Sequence, residues 1–260
     1  MDDIAIQDKR QDHARPLTVG ARSPDGVHAN VVLFTIVSVE RRSAKKTLPI
    51  RELQVALVRA SDANGQTCWA LPGSSCKADE SIREGAVRAL AETTGVTDVP
   101  LEYDEAYGDP GRDPRGWHIS HAFLALSDES SVRSRLRSDA GVALVPVDDA
   151  LRMPLVLDHG RMVRTALERV RRNMLTTTIA RRFLPEEFTI SELYQILETV
   201  VPEFEEKNFI RKITSTRSRK GILEEVRDRD GLPKTSNRYS QRAAQLYRFT
   251  DYEPRLSVYG

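Results

Sequence analysis

The chain has few of the residues that mark secreted, membrane-spanning or zinc-binding proteins. It contains 2 cysteines in 260 residues, too few for a disulfide framework, so we expect a reducing, cytoplasmic environment. No apolar run approaches the roughly 20 residues that cross a bilayer, and the polar N-terminal segment lacks the apolar centre of a secretion signal. No cysteine and histidine cluster has the spacing of a zinc site. We therefore expect no membrane partner and no required metal.

The net charge of +1 hides an uneven distribution of charge along the chain. Residues 1–160 carry 19 Lys and Arg against 24 Asp and Glu, whereas residues 161–260 carry 20 against 14. The excess is concentrated in residues 207–248, with 12 basic and 4 acidic side chains. Such a segment indicates a polyanionic partner, and the alternative is a solvated basic face.

Apolar patterning divides the chain into a tail at residues 1–25, a first domain at 26–175 and a second at 176–260. In the first domain, short apolar runs rich in β-branched residues predict strands, and a later apolar pattern with helical spacing predicts a closing helix. The order of elements favours a mixed α/β sandwich. The predicted strands are residues 31–39, 53–59, 122–126 and 142–147, and the closing helix is 159–175.

A further helix is predicted between the second and third of these strands. Ser81 and Glu84 have the spacing of a capping box, and Gly95 is typical of a helix end. The residues that recur at helical spacing, and that we expect to be buried, are Ile82, Ala86, Val87 and Leu90.

The second domain has the pattern of a winged helix-turn-helix. Thr189 and Glu192 form a second capping box, which predicts a helix over residues 190–200. Pro202 suits the first turn of another helix, at residues 203–214. Two strands, at 221–226 and 243–249, then enclose a basic loop. Two helices followed by a basic hairpin predict binding to double-stranded DNA.

The side chains of the second helix and the hairpin suit DNA, because Arg and Lys bind guanine or phosphate and Asn binds adenine. The alternative is a winged helix used for protein contact. The predicted DNA-binding residues are Lys207, Asn208, Arg211, Lys212, Arg217, Arg219, Lys234, Arg238 and Arg242.

Residues 71–96 resemble a Nudix box, the G-x5-E-x7-R-E-U-x-E-E-x-G-U signature of pyrophosphate hydrolases, where U is aliphatic. Counting back from Gly95 places Ser74 at the first glycine of the signature. Two positions where the family carries metal-binding glutamates hold Ala89 and Thr93. The positions that keep the family's residues are Glu80, Arg88 and Glu92.

A degenerate Nudix domain followed by a winged helix resembles the Nudix-related transcriptional regulators of NAD metabolism. Residues 30–36 look like the family's first strand, residues 107–115 are similar to its FGDPxRDPR loop, and residues 205–212 resemble its recognition helix. The resemblance implies a Nudix-like α/β/α sandwich that senses ADP-ribose or a related nucleotide. It also implies a homodimeric repressor of NAD-related genes on a near-palindromic operator.

By the same analogy, Arg112 and Arg115 can grip the diphosphate of the effector. Asp109 and Asp113 can hydrogen-bond its ribose hydroxyls or orient those arginines. The alternative is a surface loop held by its own Asp–Arg pairs. Trp69, Tyr107 and Trp117 can stack on the adenine, or serve simply as core and rim residues.

We expect hydrolysis to be lost and assign no catalytic residue. Nudix enzymes bind Mg²⁺ through several carboxylates, and Glu92 alone would hold the ion weakly. We expect Arg88 to pair with a carboxylate and fix the joint between loop and helix, with Glu84 as a second possible partner. The alternative is an active pyrophosphatase for ADP-ribose or another nucleoside diphosphate sugar, with substitute ligands from Asp79, Glu84 or Asp109.

Overall fold

The structure is a computed structural model of the whole chain, and six segments of it are described below. The predicted tail, the predicted helix at 203–214 beyond Phe204, and the basic residues predicted between 207 and 219 lie outside these segments. The described segments are residues 26–39, 48–61, 65–137, 141–204, 221–239 and 242–251.

The first part of the chain forms a seven-stranded mixed sheet in the order β3-β2-β1-β6-β5, with β4 paired to β1 and β7 paired to β2. Strand β1 lies at the centre and runs parallel to β6. Its continuous apolar sequence suits a strand that is covered on both faces. The strands are β1 (Val27–Val39), β2 (Ile50–Ser61), β3 (Thr67–Ala70), β4 (Gly73–Ser75), β5 (Leu101–Tyr107), β6 (Ile119–Leu126) and β7 (Val142–Pro146).

Helices cover both faces of this sheet. Val31 and Leu33 of β1 pack in a cluster with residues of helices α1 (Ile82–Thr94) and α2 (Glu129–Arg135). Val32 and Phe34, which alternate with them, belong to a second cluster with helices α3 (Val147–Ala150) and α4 (His159–Thr176). The predicted α/β/α sandwich is therefore confirmed.

The ends of α1 follow from its sequence. Ser81 and Glu84 form the capping box, and Gly95 ends the helix in the left-handed conformation with φ 83°. The expectation that Val87 would be buried is wrong, because the buried stripe of α1 contains Ala86, Ala89 and Leu90. Val87 points away from this stripe and is 49% exposed.

The second part contains the winged-helix elements. The capping box at Thr189 starts helix α5 (Ile190–Val200), as predicted. Strand β11 pairs with β8, β9 and β10, and all of these pairings are antiparallel. The strands are shorter than predicted, and β8, β10 and a 3-10 helix at Ile179–Phe183 were missed. The strands are β8 (Phe188–Thr189), β9 (Leu223–Glu225), β10 (Thr235–Ser236) and β11 (Ala244–Phe249).

One apolar core runs through both parts of the chain. Leu167 and Met174 of α4 belong to the same buried cluster as Ile196, Leu197 and Val200 of α5. The division at residue 175 remains a prediction, because this core crosses it. Within the described ranges, no helix combines the length and the apolar character that a membrane span requires.

Candidate functional site

Arg88 forms a network of hydrogen bonds on the degenerate Nudix helix. Its Nε and Nη2 donate to Glu80 at 2.9 and 2.5 Å, and its Nη1 donates to Glu92 at 3.0 Å. Nη2 also donates to the Ser75 carbonyl at 2.9 Å, which ties α1 to the end of β4. This is the structural pairing expected for Arg88. Glu84 is not its partner, because the Glu84 carboxylate accepts from the Ser81 backbone at 2.7 Å.

The Nudix positions do not fit a divalent cation. Ala89 is fully buried and offers no oxygen from its side chain, while the Thr93 hydroxyl donates to the Ala89 carbonyl at 2.6 Å. Glu92, the remaining carboxylate, is paired with Arg88. The described ranges contain no group of three or more His, Cys, Asp or Glu side chains that could hold a metal ion. Mg²⁺ prefers near-octahedral oxygen ligands, and this set does not supply them.

The Glu80–Arg88 pair makes a testable contribution to stability. The hydrogen bonds from Arg88 lower the pKa of Glu80 to about 2, against the opposing effect of burial. A carboxyl group whose pKa falls on folding stabilises the protein above its unfolded pKa of about 4.3, and that stability is lost as the pH falls toward the folded value.

We expect Glu80→Gln to lower the free energy of unfolding by about 1 kcal/mol at pH 7, since a hydrogen-bonded charge is lost. Urea titrations of both proteins between pH 7 and pH 3 measure this difference. This difference in free energy should become smaller below about pH 4, because protonation of Glu80 then stabilises the unfolded wild-type protein. A difference that stays constant over this range would contradict the assignment.

The loop that follows β5 carries two arginines in different environments. The side chain of Arg112 is buried, with 5% of it exposed, and makes a two-point ion pair with Asp158 before α4. Arg115 is 58% exposed, and its Nε and Nη2 donate to Asp113 at 2.9 and 2.6 Å. Asp113, which is buried, therefore orients Arg115 toward solvent. Of the two arginines, Arg115 has the exposed guanidinium.

The other residues predicted to bind the effector have different surroundings. Asp109 pairs with Arg161 of α4 at 2.8 Å. Trp69 is half-buried, and the Arg59 guanidinium lies 4.2 Å from the centre of its ring. Trp117 is 71% exposed. Tyr107 is buried, with 2% exposed, which is the placement of a core residue; its stacking on adenine stays a prediction.

Sequence reasoning missed a buried polar group beside the loop. The Leu71 backbone donates to Nδ1 of His159 at 3.0 Å, so the proton of the neutral ring lies on Nε2. Burial lowers the pKa of His159 to about 4, which keeps the ring neutral. Asn30 lies 3.4 Å from Nε2, and Gly73 packs so closely on Asn30 that a Cβ would clash with it. No sequence spacing links positions 30, 71 and 159.

The described wing residues are largely paired within their own domain. Lys234 donates to Glu187 at 2.5 Å, and both side chains are partly exposed. Arg238 is exposed and lies over the ring of Tyr239, with 4.9 Å to its centre. Arg242 is exposed as well. The other predicted DNA-binding residues lie outside the described segments.

Comparison with known proteins identifies both halves of the chain. Residues 41–166 match the model of the NUDIX domain, and residues 180–249 match that of the NrtR DNA-binding winged helix domain. The chain thus joins a NUDIX domain to a winged helix of the NrtR type. This confirms the family predicted from the degenerate Nudix box and the hairpin, as well as the order of the two folds.

Two NrtR relatives span most of the chain. The "ADPR responsive transcriptional repressor NtrR" of Acinetobacter baylyi is 29% identical over 80% of this chain and 82% of its own length. The crystal structure of Shewanella oneidensis NrtR complexed with a 27mer DNA is 27% identical, with a TM-score of 0.68, and the match covers 89% of this chain and 99% of that one.

A third relative matches the NUDIX domain in part. An ADP-ribose pyrophosphatase of Methanocaldococcus jannaschii is 31% identical over 28% of this chain and 44% of its own length. In this NrtR-type chain, the metal-binding positions that the Nudix signature assigns to Glu hold Ala89 and Thr93.

Proposed function

We propose that this protein is an ADP-ribose-responsive repressor that acts as a homodimer in the cytoplasm and requires no cofactor. Its winged helix binds a near-palindromic operator, and its NUDIX domain binds ADP-ribose or a related nucleotide without cleaving it. The observation that carries the proposal is the joining of an NrtR-type winged helix to a Nudix helix that has Ala89 and Thr93 at metal-ligand positions. Such a domain keeps a nucleotide-binding fold but lacks the carboxylates that would hold a metal ion.

The named relatives support this assignment. The A. baylyi protein is named for a repressor that responds to ADPR, and the S. oneidensis protein was crystallised on DNA. The exposed Arg115, oriented by Asp113, gives the NUDIX domain a guanidinium suited to a diphosphate. NAD-related genes are the targets that the family resemblance implies.

Operator binding tests the proposal directly. Duplexes selected from a randomised library, labelled with a fluorophore, report the affinity by anisotropy. We expect ADP-ribose to weaken binding between roughly 5-fold and 150-fold, the usual range of coupling between two sites. Arg115→Gln should shift this response to higher ADP-ribose concentrations without changing the affinity for DNA in the absence of effector.

Two controls accompany this titration. The affinity should fall steeply with salt, because contacts to phosphates release counterions. Arg211→Ala, at a predicted base-reading position, should weaken specific binding by about 1–3 kcal/mol. An operator complex that is insensitive to ADP-ribose would contradict the proposed effector.

The same samples test the enzymatic alternative. Incubation of the protein with ADP-ribose and either Mg²⁺ or Mn²⁺, followed by chromatography, measures the release of AMP. We expect no release above that of a matched sample without protein. Rapid release of AMP by a protein that binds no DNA fragment would favour the pyrophosphatase instead.

A further inference from the structure

Helix α5 of the winged helix packs against strand β2 of the NUDIX domain, and a polar contact within this interface joins the two domains. This contact, the domain joint, consists of Pro49 and Arg51 on the NUDIX side and of Glu192 and Gln195 on α5. The side-chain amide of Gln195 donates to the Pro49 carbonyl, and Arg51 forms an ion pair with Glu192. The surrounding core is apolar and its attraction has no direction, so these polar contacts set the position of α5 against β2.

Arg51 lies in the domain joint without its full set of hydrogen bonds. The side chain is mostly buried, with 10% of it exposed, and its Nη2 lies 3.9 Å from Oε1 of Glu192, which is beyond hydrogen-bond distance. Among the described residues, Nε of Arg51 has no hydrogen-bond partner. Burial lowers the pKa of Arg51, and the charge of Glu192 opposes this effect. A buried donor without an acceptor is unfavourable, so an arrangement that supplied one would be stabilised.

Acceptors for Arg51 are available on the α5 side of the domain joint. Oε2 of Glu192 is engaged in the capping box, where it accepts from the Thr189 backbone at 2.8 Å and from the Thr189 hydroxyl at 3.0 Å, whereas Oε1 faces Arg51. Oε1 of Gln195 is buried and, within the described ranges, accepts no hydrogen bond. Glu192 and Gln195 are three residues apart, so they lie on the same face of α5. An unused donor of β2 and an unused acceptor of α5 thus belong to one interface.

The domain joint is connected to the wing in two ways. Thr189, which shares the capping box with Glu192, pairs with Leu246 of β11, the strand that also pairs with β9 and β10. Arg238 of the wing lies close enough to act on Arg51, because burial lowers the pKa of Arg51 and the charge of Arg238 adds to that effect. A movement of α5 against β2 would therefore move the wing relative to the NUDIX domain.

We propose that the domain joint is a shear switch, in which α5 shifts by about 1 Å against β2 and brings Arg51 into hydrogen-bond contact with Glu192 and Gln195. A shift of this size would reduce the 3.9 Å separation of Arg51 and Glu192 to about 2.9 Å, the usual length of such a hydrogen bond. Sliding movements of about 1–2 Å are typical of packed helices that switch.

The switch rests on the proposed function and specifies how its two sites are coupled. ADP-ribose in the NUDIX domain favours the shifted arrangement, and operator DNA favours the unshifted one, so each ligand weakens the binding of the other by the same factor. Arg51 and Glu192 are positioning residues in this scheme, because they act on the wing through α5. Loss of their contact removes the shifted arrangement and leaves the operator-binding arrangement in place.

Operator titrations of the full chain, with and without saturating ADP-ribose, test the switch. Glu192→Gln removes the charge that faces Arg51 but keeps the capping box, because Gln also serves at this position. We expect the weakening of operator binding by ADP-ribose to decrease by roughly 2- to 30-fold, the range for substitutions between coupled sites. The affinity for operator alone should stay within about twofold of the wild type. The affinity for ADP-ribose should fall in the free protein and be unchanged in the operator complex, which damage to the effector site would not produce.

Further variants separate this contact from general effects on α5. Arg51→Met should reduce the response to ADP-ribose by a comparable factor, and it remains informative even if Glu192→Gln fails to fold. The double variant should respond like either single one, because both residues act through one contact. The matched control is Glu198→Gln, which removes an exposed carboxylate from the same helix and should respond like the wild type.

The outcomes distinguish the switch from the proposed function. If the wild type responds to ADP-ribose and both single variants respond equally well, the switch is wrong and the proposed function stands. Additive losses in the double variant, or an equal loss in Glu198→Gln, would also overturn the switch. If the operator affinity of the wild type does not depend on ADP-ribose, the proposed function fails and the switch fails with it.

Discussion

Asp158→Asn is expected to lower the free energy of unfolding by about 3 kcal/mol, because it leaves the buried guanidinium of Arg112 without its counter-charge. Arg112 is 5% exposed and Asp158 is 19% exposed, so water replaces little of the lost interaction. Burial alone would raise the pKa of Asp158, but the hydrogen bonds and charge of Arg112 outweigh it and lower that pKa. The pair joins the loop that follows β5 to the start of α4.

Urea unfolding at pH 7 measures this loss. The matched control is Asp149→Asn, which breaks the exposed pair with Arg152, where the side chains are 74% and 56% exposed. Exposed pairs contribute about 0–1 kcal/mol, so this variant should remain close to the wild type.

The double variant Arg112→Met with Asp158→Asn removes both charges and should recover part of the stability, as other replaced buried pairs do. If Asp158→Asn and Asp149→Asn have equal effects, Arg112 is not held as the structure indicates. A larger effect of Asp158→Asn would also mean that Arg112 is held in this ion pair and is not free to bind the diphosphate of an effector.

The elements that the sequence predicted best are those fixed by local interactions. The capping boxes at Ser81 and Thr189 set the starts of α1 and α5, because each involves side chains three residues apart. The short strands β3, β4 and β8 were missed, since their pairing depends on partners elsewhere in the chain. Periodicity over two to four residues does not identify such strands.

In the candidate site, too, contacts between residues close in the sequence were predictable and contacts between distant residues were not. Motif spacing located the Nudix positions, and the pairing of Arg88 with a carboxylate eight residues earlier followed from them. The pairing of Arg112 with Asp158 joins residues 46 positions apart, and no motif encodes it. The burial of Tyr107 likewise depends on α4 covering that end of β5, where Arg161 lies over the ring.

The shared core leads to a second large effect. Leu197 of α5 is fully buried in the cluster that also contains Leu167 and Met174 of α4. We expect Leu197→Ala to lower the free energy of unfolding by about 2–5 kcal/mol, the usual cost of removing a buried leucine side chain. Because one core serves both parts, the loss should reach the NUDIX domain as well.

The positions of the tryptophans make this coupling measurable. The chain has 2 tryptophans, Trp69 and Trp117, and both lie in the NUDIX domain, so fluorescence reports that part alone. Leu197→Ala is a substitution in the winged helix. In this variant, the midpoint of thermal unfolding detected by fluorescence should fall together with the midpoint detected by circular dichroism. Val87→Ala, at an exposed site on α1, should move neither midpoint appreciably.

An unchanged fluorescence midpoint in Leu197→Ala would show that the two domains unfold independently. Binding of an effector to the NUDIX domain would then not change the stability of the winged helix. If the midpoints move together, the NUDIX domain and α5 form one cooperative unit. A nucleotide that stabilises the NUDIX domain must then also stabilise α5, by the mass-action link between binding and folding. Repeating the Leu197→Ala melt with saturating ADP-ribose should raise both midpoints by the same amount.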